Sequence, residues 1–218
     1  MTTAQRYKGV VAWFKKNVPA PQSELHYTNP YQLLVSVILS AQCTDKRVNV
    51  VTPALFAAFP TPAKMADASP AAIFEYIQSI SYPNNKAKNL YGMATMLVNE
   101  FDAQLPHSIE DLQRLPGVGQ KTANVVASIL YNQPVIAVDT HVFRVAHRLG
   151  LVTKAANTPT KTEAELEKNI APEWRAVAHH WLILHGRYIC TARKPLCKQC
   201  GLTKWCKTME NGELRIES

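Results

Sequence analysis

Leu115-Pro-Gly-Val-Gly-Gln-Lys-Thr-Ala123 ends one helical pattern and opens another. Apolar residues recur at helical spacing from Ile109 to Leu115, and again from Thr122 to Tyr131. Between them, two glycines a residue apart let the chain turn tightly and bring bare amides close to a ligand. Amides at the start of the second helix, helped by its dipole, favour an anion, and a phosphate is the natural guest. A turn of this kind can equally do no more than join two helices. Lys121 beside it and the scarcity of acids around it weigh toward the phosphate, since Asp139 is the only acid from Leu112 to Thr162.

The same periodicity extends in both directions. Tyr31, Leu34, Val35, Ile38 and Leu39 follow the i, i+3, i+4, i+7, i+8 pattern of one helix face. Ser69-Pro70 and Ala171-Pro172 predict helix starts with proline in the first turn. Thr160 and Glu163 have capping-box spacing and predict another start. Pro19, Pro21, Pro30, Pro53, Pro60, Pro62, Pro106, Pro134 and Pro159 punctuate the remainder. The pattern amounts to about ten short helices with no alternating strand signal, hence an all-α fold. No internal repeat and no low-complexity segment interrupts it.

Composition narrows the class. Of 218 residues, 47% are hydrophobic and 18% charged, enough apolar material to fill a core and to exclude disorder or a fibrous repeat. The length allows one large domain or two small ones. No apolar run approaches the ~20 residues that cross a bilayer, so no membrane role is expected. The N-terminal Met1-Thr-Thr-Ala-Gln-Arg-Tyr-Lys8 carries no apolar signal region. The expected location is therefore cytoplasmic, a reducing compartment where five cysteines are poor candidates for disulfides. The net charge of +8 is unevenly spread. From Trp174 to Met209 there is no acid, while Arg175, Arg187, Arg193, Lys194, Lys198, Lys204 and Lys207 fall inside. Such a surface suits a polyanion, most simply nucleic acid, and general solubility is the plainer alternative.

Two further motifs carry chemistry. Cys190, Cys197, Cys200 and Cys206 gather four soft sulfur ligands within a short span, the donor set of iron–sulfur clusters and of zinc. Zinc knuckles tend to come as two close pairs, whereas here one CxxC is flanked by single cysteines, which favours a 4Fe-4S cluster. Cys43, far upstream on the apolar helix, reads as a core residue. In Val138-Asp-Thr-His-Val-Phe-Arg-Val-Ala-His-Arg-Leu149, the lone acid Asp139 precedes an apolar-periodic run. It reads as a helix N-cap, a role compatible with catalysis because a cap fixes the carboxylate rigidly.

In this order the three motifs resemble the endonuclease III family of bifunctional DNA glycosylases, from about Tyr27 to Cys206. Asn29-Pro-Tyr-Gln-Leu-Leu-Val-Ser-Val-Ile-Leu-Ser-Ala-Gln-Cys-Thr-Asp45 is similar to the family's opening helix, the glycine turn to its helix-hairpin-helix, and the cysteine spacing to its cluster loop. The resemblance implies two helical domains flanking a DNA-binding cleft. One is a six-helix barrel over 23–134, with the hairpin at 108–131. The other combines 1–22 with 135–218 and carries the 4Fe-4S cluster loop at 190–206. It implies a monomer associated with the nucleoid, acting on double-stranded DNA that contains oxidised pyrimidines or abasic sites.

By motif, Lys121 corresponds to the family's nucleophile and Asp139 to its essential partner. A lysine amine can attack the sugar C1′, expel the base as a Schiff base forms, and so allow β-elimination of the 3′ phosphate. A lysine with an ordinary pKa of about 10.4 is protonated at neutral pH. A helix N-terminus in a basic, partly desolvated region is expected to favour the neutral amine. Without the family match, Lys121 reads as a phosphate contact. Gly117, Val118, Gly119 and Gln120 then meet the DNA backbone, as do Arg193 and Lys194 in the cysteine loop. Gln42 corresponds to the residue that fills the gap left by an extruded base. Ile80-Ser-Tyr-Pro-Asn-Asn85 aligns with the opposing wedge but departs from the family pattern. Ser81 replaces a usual glycine, and Tyr82-Pro83 stand where a bulky apolar residue and a tyrosine are frequent. The alternatives are a non-catalytic helix-hairpin-helix DNA-binding protein, a cluster-bearing redox protein, and a mismatch-specific glycosylase of the same superfamily. Val37 sits where the adenine-mismatch branch uses a catalytic glutamate and cannot exchange a proton, and Lys121 is a residue that branch usually lacks.

Overall fold

The computed structural model describes residues 1–212, which form twelve α-helices and two short 3-10 turns, with no strand among them. No helix among the described residues is long and apolar enough to cross a membrane. Prolines and capping side chains set most of the boundaries. Six of the twelve helices carry proline in the first turn, where its missing amide costs nothing and its fixed φ suits a helix.

The chain divides into two compact units, Ser23–Asn132 and the remainder. Helix α1 (Thr3–Asn17) belongs to the second unit and starts with a capping box between Thr2 and Gln5. The first unit holds α2 (Pro30–Ser40), α3 (Asp45–Ala58), α4 (Pro62–Ala66), α5 (Pro70–Ile77), α6 (Pro83–Glu100), α7 (Ile109–Arg114) and α8 (Gln120–Tyr131). Helix α2 packs against α3, α6 and α8, so every residue from Leu33 to Leu39 is buried. The one-sided stripe expected there is therefore too narrow, because a helix surrounded by others is apolar on all sides. Pro53 does not separate elements either; it lies inside α3.

The second unit continues with α9 (Thr140–Leu149), α10 (Pro159–Asn169), α11 (Pro172–Tyr188) and α12 (Lys207–Glu210). Its core joins Tyr7, Val10 and Phe14 of α1 to Val142, Val145 and Leu149 of α9 and Trp181 of α11. The capping box expected at Thr160 and Glu163 does not form. Helix α10 begins at Pro159, and Thr158 caps it by accepting from the Lys161 amide at 3.3 Å. Proline at the first helical position places the cap one residue before it.

Candidate functional site

In the first unit the glycine turn closes through backbone bonds rather than side chains. The Val118 amide donates to the Leu115 carbonyl at 3.0 Å, and Gly117 has φ +84°. A Cβ at Gly117 would lie 2.9 Å from Cβ of Asn89 in α6, so glycine is required there on two counts. Gly119 is the N-cap of α8, whose first residue, Gln120, comes two residues before the Thr122 start expected, and no side chain caps that end. Gly117, Gly119 and Gln120 are exposed, while Lys121 is half-buried as the second residue of α8. Val118 behaves differently from its expected role. Its side chain is buried and its amide already bonded, so it anchors the turn from behind rather than facing a ligand.

Gln42 follows the C-terminus of α2, and Tyr82 immediately precedes α6. Both are exposed, and both hold left-handed backbone, at φ 55° and 56°. Such a conformation costs a non-glycine residue about 1–3 kcal/mol and persists only where its surroundings impose it. Cys43 is half-buried in the turn beyond α2, its amide donating to the Ser40 carbonyl at 3.0 Å, so it is not the core residue expected.

In the second unit Asp139 caps α9. Its Oδ1 accepts from the His141 and Val142 amides, both at 2.8 Å, which fixes the carboxylate rigidly. Further along the same helix, Arg144 donates to the carbonyls of Cys190 at 3.1 Å and Gly186 at 2.8 Å. One turn later, Arg148 donates to the carbonyls of Thr191 at 2.6 Å and Ala192 at 2.8 Å, and its guanidinium lies 3.5 Å from the Cys190 sulfur. Helix α9 thus holds the candidate carboxylate at one end and braces the cysteine loop along its length. Sequence reading missed both arginines. Their i, i+4 spacing in an acid-free stretch was a signal of a shared face, but not of what that face meets.

None of the four C-terminal cysteines is in a disulfide. Cys200 lies 3.6 Å from Nε2 of His185, and Cys206 is buried against the Arg148 carbonyl at 3.4 Å. Burial pushes the Cys200 thiol up to about 11 and raises Cys197 and Cys206 as well; the neighbouring cysteines add to each shift. A cationic metal centre would favour the thiolate form that ligation requires, against this burial. Among the described residues, no three His, Cys, Asp or Glu side chains are drawn close enough to hold one metal ion. A multi-iron cluster makes a different demand, because each thiolate sits on its own iron. The donor set fits such a cluster. Between Cys190 and Cys197 the loop is closed at its base by the Leu196 amide donating to the Ile189 carbonyl at 2.8 Å, and it leaves Arg193 and Lys194 exposed.

Residues 35–172 match the family model of the HhH-GPD superfamily base excision DNA repair protein, which defines the class. Over nearly its full length the chain is 48% identical to endonuclease III of Rickettsia conorii, covering 93% of this chain and 96% of the relative. It is 38% identical to endonuclease III of Escherichia coli K12, covering 98% and 100%. A solved structure of a trapped endonuclease III–DNA covalent intermediate matches with a TM-score of 0.91 at 38% identity, covering 98% of this chain and all of that one. The chain belongs to the endonuclease III family.

Proposed function

We propose that this base-excision-repair DNA glycosylase and AP lyase removes oxidised pyrimidines from duplex DNA as a monomer. Lys121 is its nucleophile, Asp139 its essential partner, and Cys190, Cys197, Cys200 and Cys206 hold a 4Fe-4S cluster. The observation that carries the reading is the place of Lys121, directly behind the exposed glycine turn at the uncapped start of α8. Near-full-length likeness to a protein trapped covalently on DNA supports it.

Gly117, Gly119 and Gln120 bind the phosphate backbone at the positive end of α8, which puts the Lys121 amine beside the sugar of the extruded nucleotide. The neutral amine attacks C1′, and the bond from C1′ to the base breaks as the base takes up a proton. The secondary amine expels the ring oxygen and becomes an imine, which acidifies the C2′ proton. Loss of that proton sends its electrons toward C3′, and the 3′ phosphate leaves. Oδ2 of Asp139, which takes no part in the cap, accepts the amine proton or faces the cation developing at C1′. When bound, the cluster ties the segment from Cys190 to Cys206 into one rigid loop. Arg193 and Lys194 grip phosphates from it, and Gln42 and Tyr82 occupy the space vacated in the stack.

Borohydride reduction tests the reading, because only an imine gives a stable covalent adduct. On a duplex carrying one thymine glycol, the protein is expected to form the adduct and Lys121→Ala is expected to bind without forming it. Binding with no adduct from the unaltered protein would leave only a DNA-binding module.

A further inference from the structure

Two donor groups at and just before the start of α6 make three hydrogen bonds to the end of α2. The Ser81 hydroxyl donates to the Gln42 carbonyl at 2.8 Å. The Lys86 ammonium donates to the carbonyls of Leu39 at 2.8 Å and Ala41 at 2.6 Å, and the Lys86 amide donates to the Tyr82 carbonyl at 3.1 Å. Lys86 is 6% exposed, and burial pulls its ammonium below the usual lysine range. A lysine is seldom buried to this degree unless its charge is met, and here the unpaired carbonyls of a helix C-terminus meet it. Gln42 and Tyr82, both with left-handed backbone, take part in these bonds directly: the Gln42 carbonyl accepts from Ser81 and the Tyr82 carbonyl from the Lys86 amide. Both keep their side chains in solvent, Tyr82 at 63% exposure.

We infer that Ser81 and Lys86 are positioning residues that lock Gln42 and Tyr82 into one preformed wedge for the DNA stack. The inference rests on the proposed glycosylase reading and adds to it how the wedge is held. A wedge must unstack bases and then fill the gap. An aromatic ring is suited to stack on whichever base it meets, and a glutamine amide can pair with an orphaned base edge. Held by hydrogen bonds within the folded protein, the two side chains need no backbone ordering at the moment of insertion. Ser81 supplies the direct link between the two loops, at a position where the resembling family usually has glycine, which offers no hydroxyl.

The test compares Ser81→Ala and Ser81→Thr with the unaltered full-length protein, on a duplex with 2-aminopurine beside a thymine glycol. The fluorescence rise reports unstacking, and borohydride trapping reports the lyase step on the same sample. Ser81→Ala is expected to slow unstacking about three- to ten-fold, the effect of one lost hydrogen bond. Ser81→Thr, which keeps the hydroxyl, is expected to recover most of the rate. On a duplex whose abasic site is already bulged, with no nucleotide facing it, all three proteins are expected to be trapped equally fast. Unchanged unstacking by Ser81→Ala would overturn the inference, as would an equal loss on the bulged site. Absence of trapping by the unaltered protein would instead overturn the glycosylase reading itself.

Discussion

At Gly117 a positive φ and the nearby Asn89 side chain leave no room for a Cβ. Gly117→Ala is expected to cost about 1–3 kcal/mol, the usual range for a backbone forced into a disfavoured region. For a chain of this length that corresponds to a fall of roughly 2–10 °C in melting temperature. A thermal melt showing no loss would mean that the turn relaxes freely. Asp139 separates two roles that share one side chain. Asparagine caps a helix about as well as aspartate, so Asp139→Asn is expected to keep the fold and DNA binding and lose most activity. Asp139→Ala should lose about 1 kcal/mol of stability in addition. A folded, fully active Asp139→Asn protein would reduce the carboxylate to a cap. The glycine turn before Lys121 and the cap at Asp139 were legible in the sequence because turn and cap chemistry is local, written within a few residues of each, whereas their catalytic roles came from the family resemblance. Spacing shows the turn but not which of its amides the turn uses up, as the Val118 amide bonded to the Leu115 carbonyl shows. Lys86, Arg144 and Arg148 were not legible at all. Their partners lie more than forty residues away along the chain, and only the fold brings them together.

Elements divide in the same way. Helices were readable from apolar period and proline, yet α8 and α10 both begin slightly earlier than expected, at Gly119 and Thr158 as caps. Side-chain caps compete over neighbouring positions, and proline at the first helical position settled the case of α10. The cysteine loop is the element whose function follows most directly from its geometry. The Thr191 hydroxyl donates to the Lys194 carbonyl at 2.6 Å, and Arg148 holds the preceding carbonyls, so Arg193 and Lys194 project from an ordered turn. A cation held this way loses little entropy on meeting a phosphate. Replacing both with alanine is expected to weaken binding to damaged and undamaged DNA alike. The salt dependence of log K should fall by roughly 0.9 per lost contact, with cleavage of saturated substrate little changed. An affinity series from low to moderate salt with an unchanged slope would place the phosphate grip elsewhere.

For the whole molecule, a chain that is all-helical among the described residues, in two compact units, combines a surplus of positive charge with four gathered cysteines, three of whose thiols burial raises. Protein purified without oxygen is expected to be yellow-brown, with broad absorption near about 400 nm and four irons per chain, as for thiolate-bound 4Fe-4S clusters. One zinc and no iron would contradict the cluster assignment. The central claim is that Lys121 becomes covalently joined to the sugar, and peptide mapping of the borohydride-trapped complex tests it most directly. A lysine converted to a secondary amine resists trypsin, so the DNA remnant is expected on one peptide, Leu115 to Arg144, uncut at Lys121. A remnant on any other lysine, or on the N-terminal amine, would contradict the account.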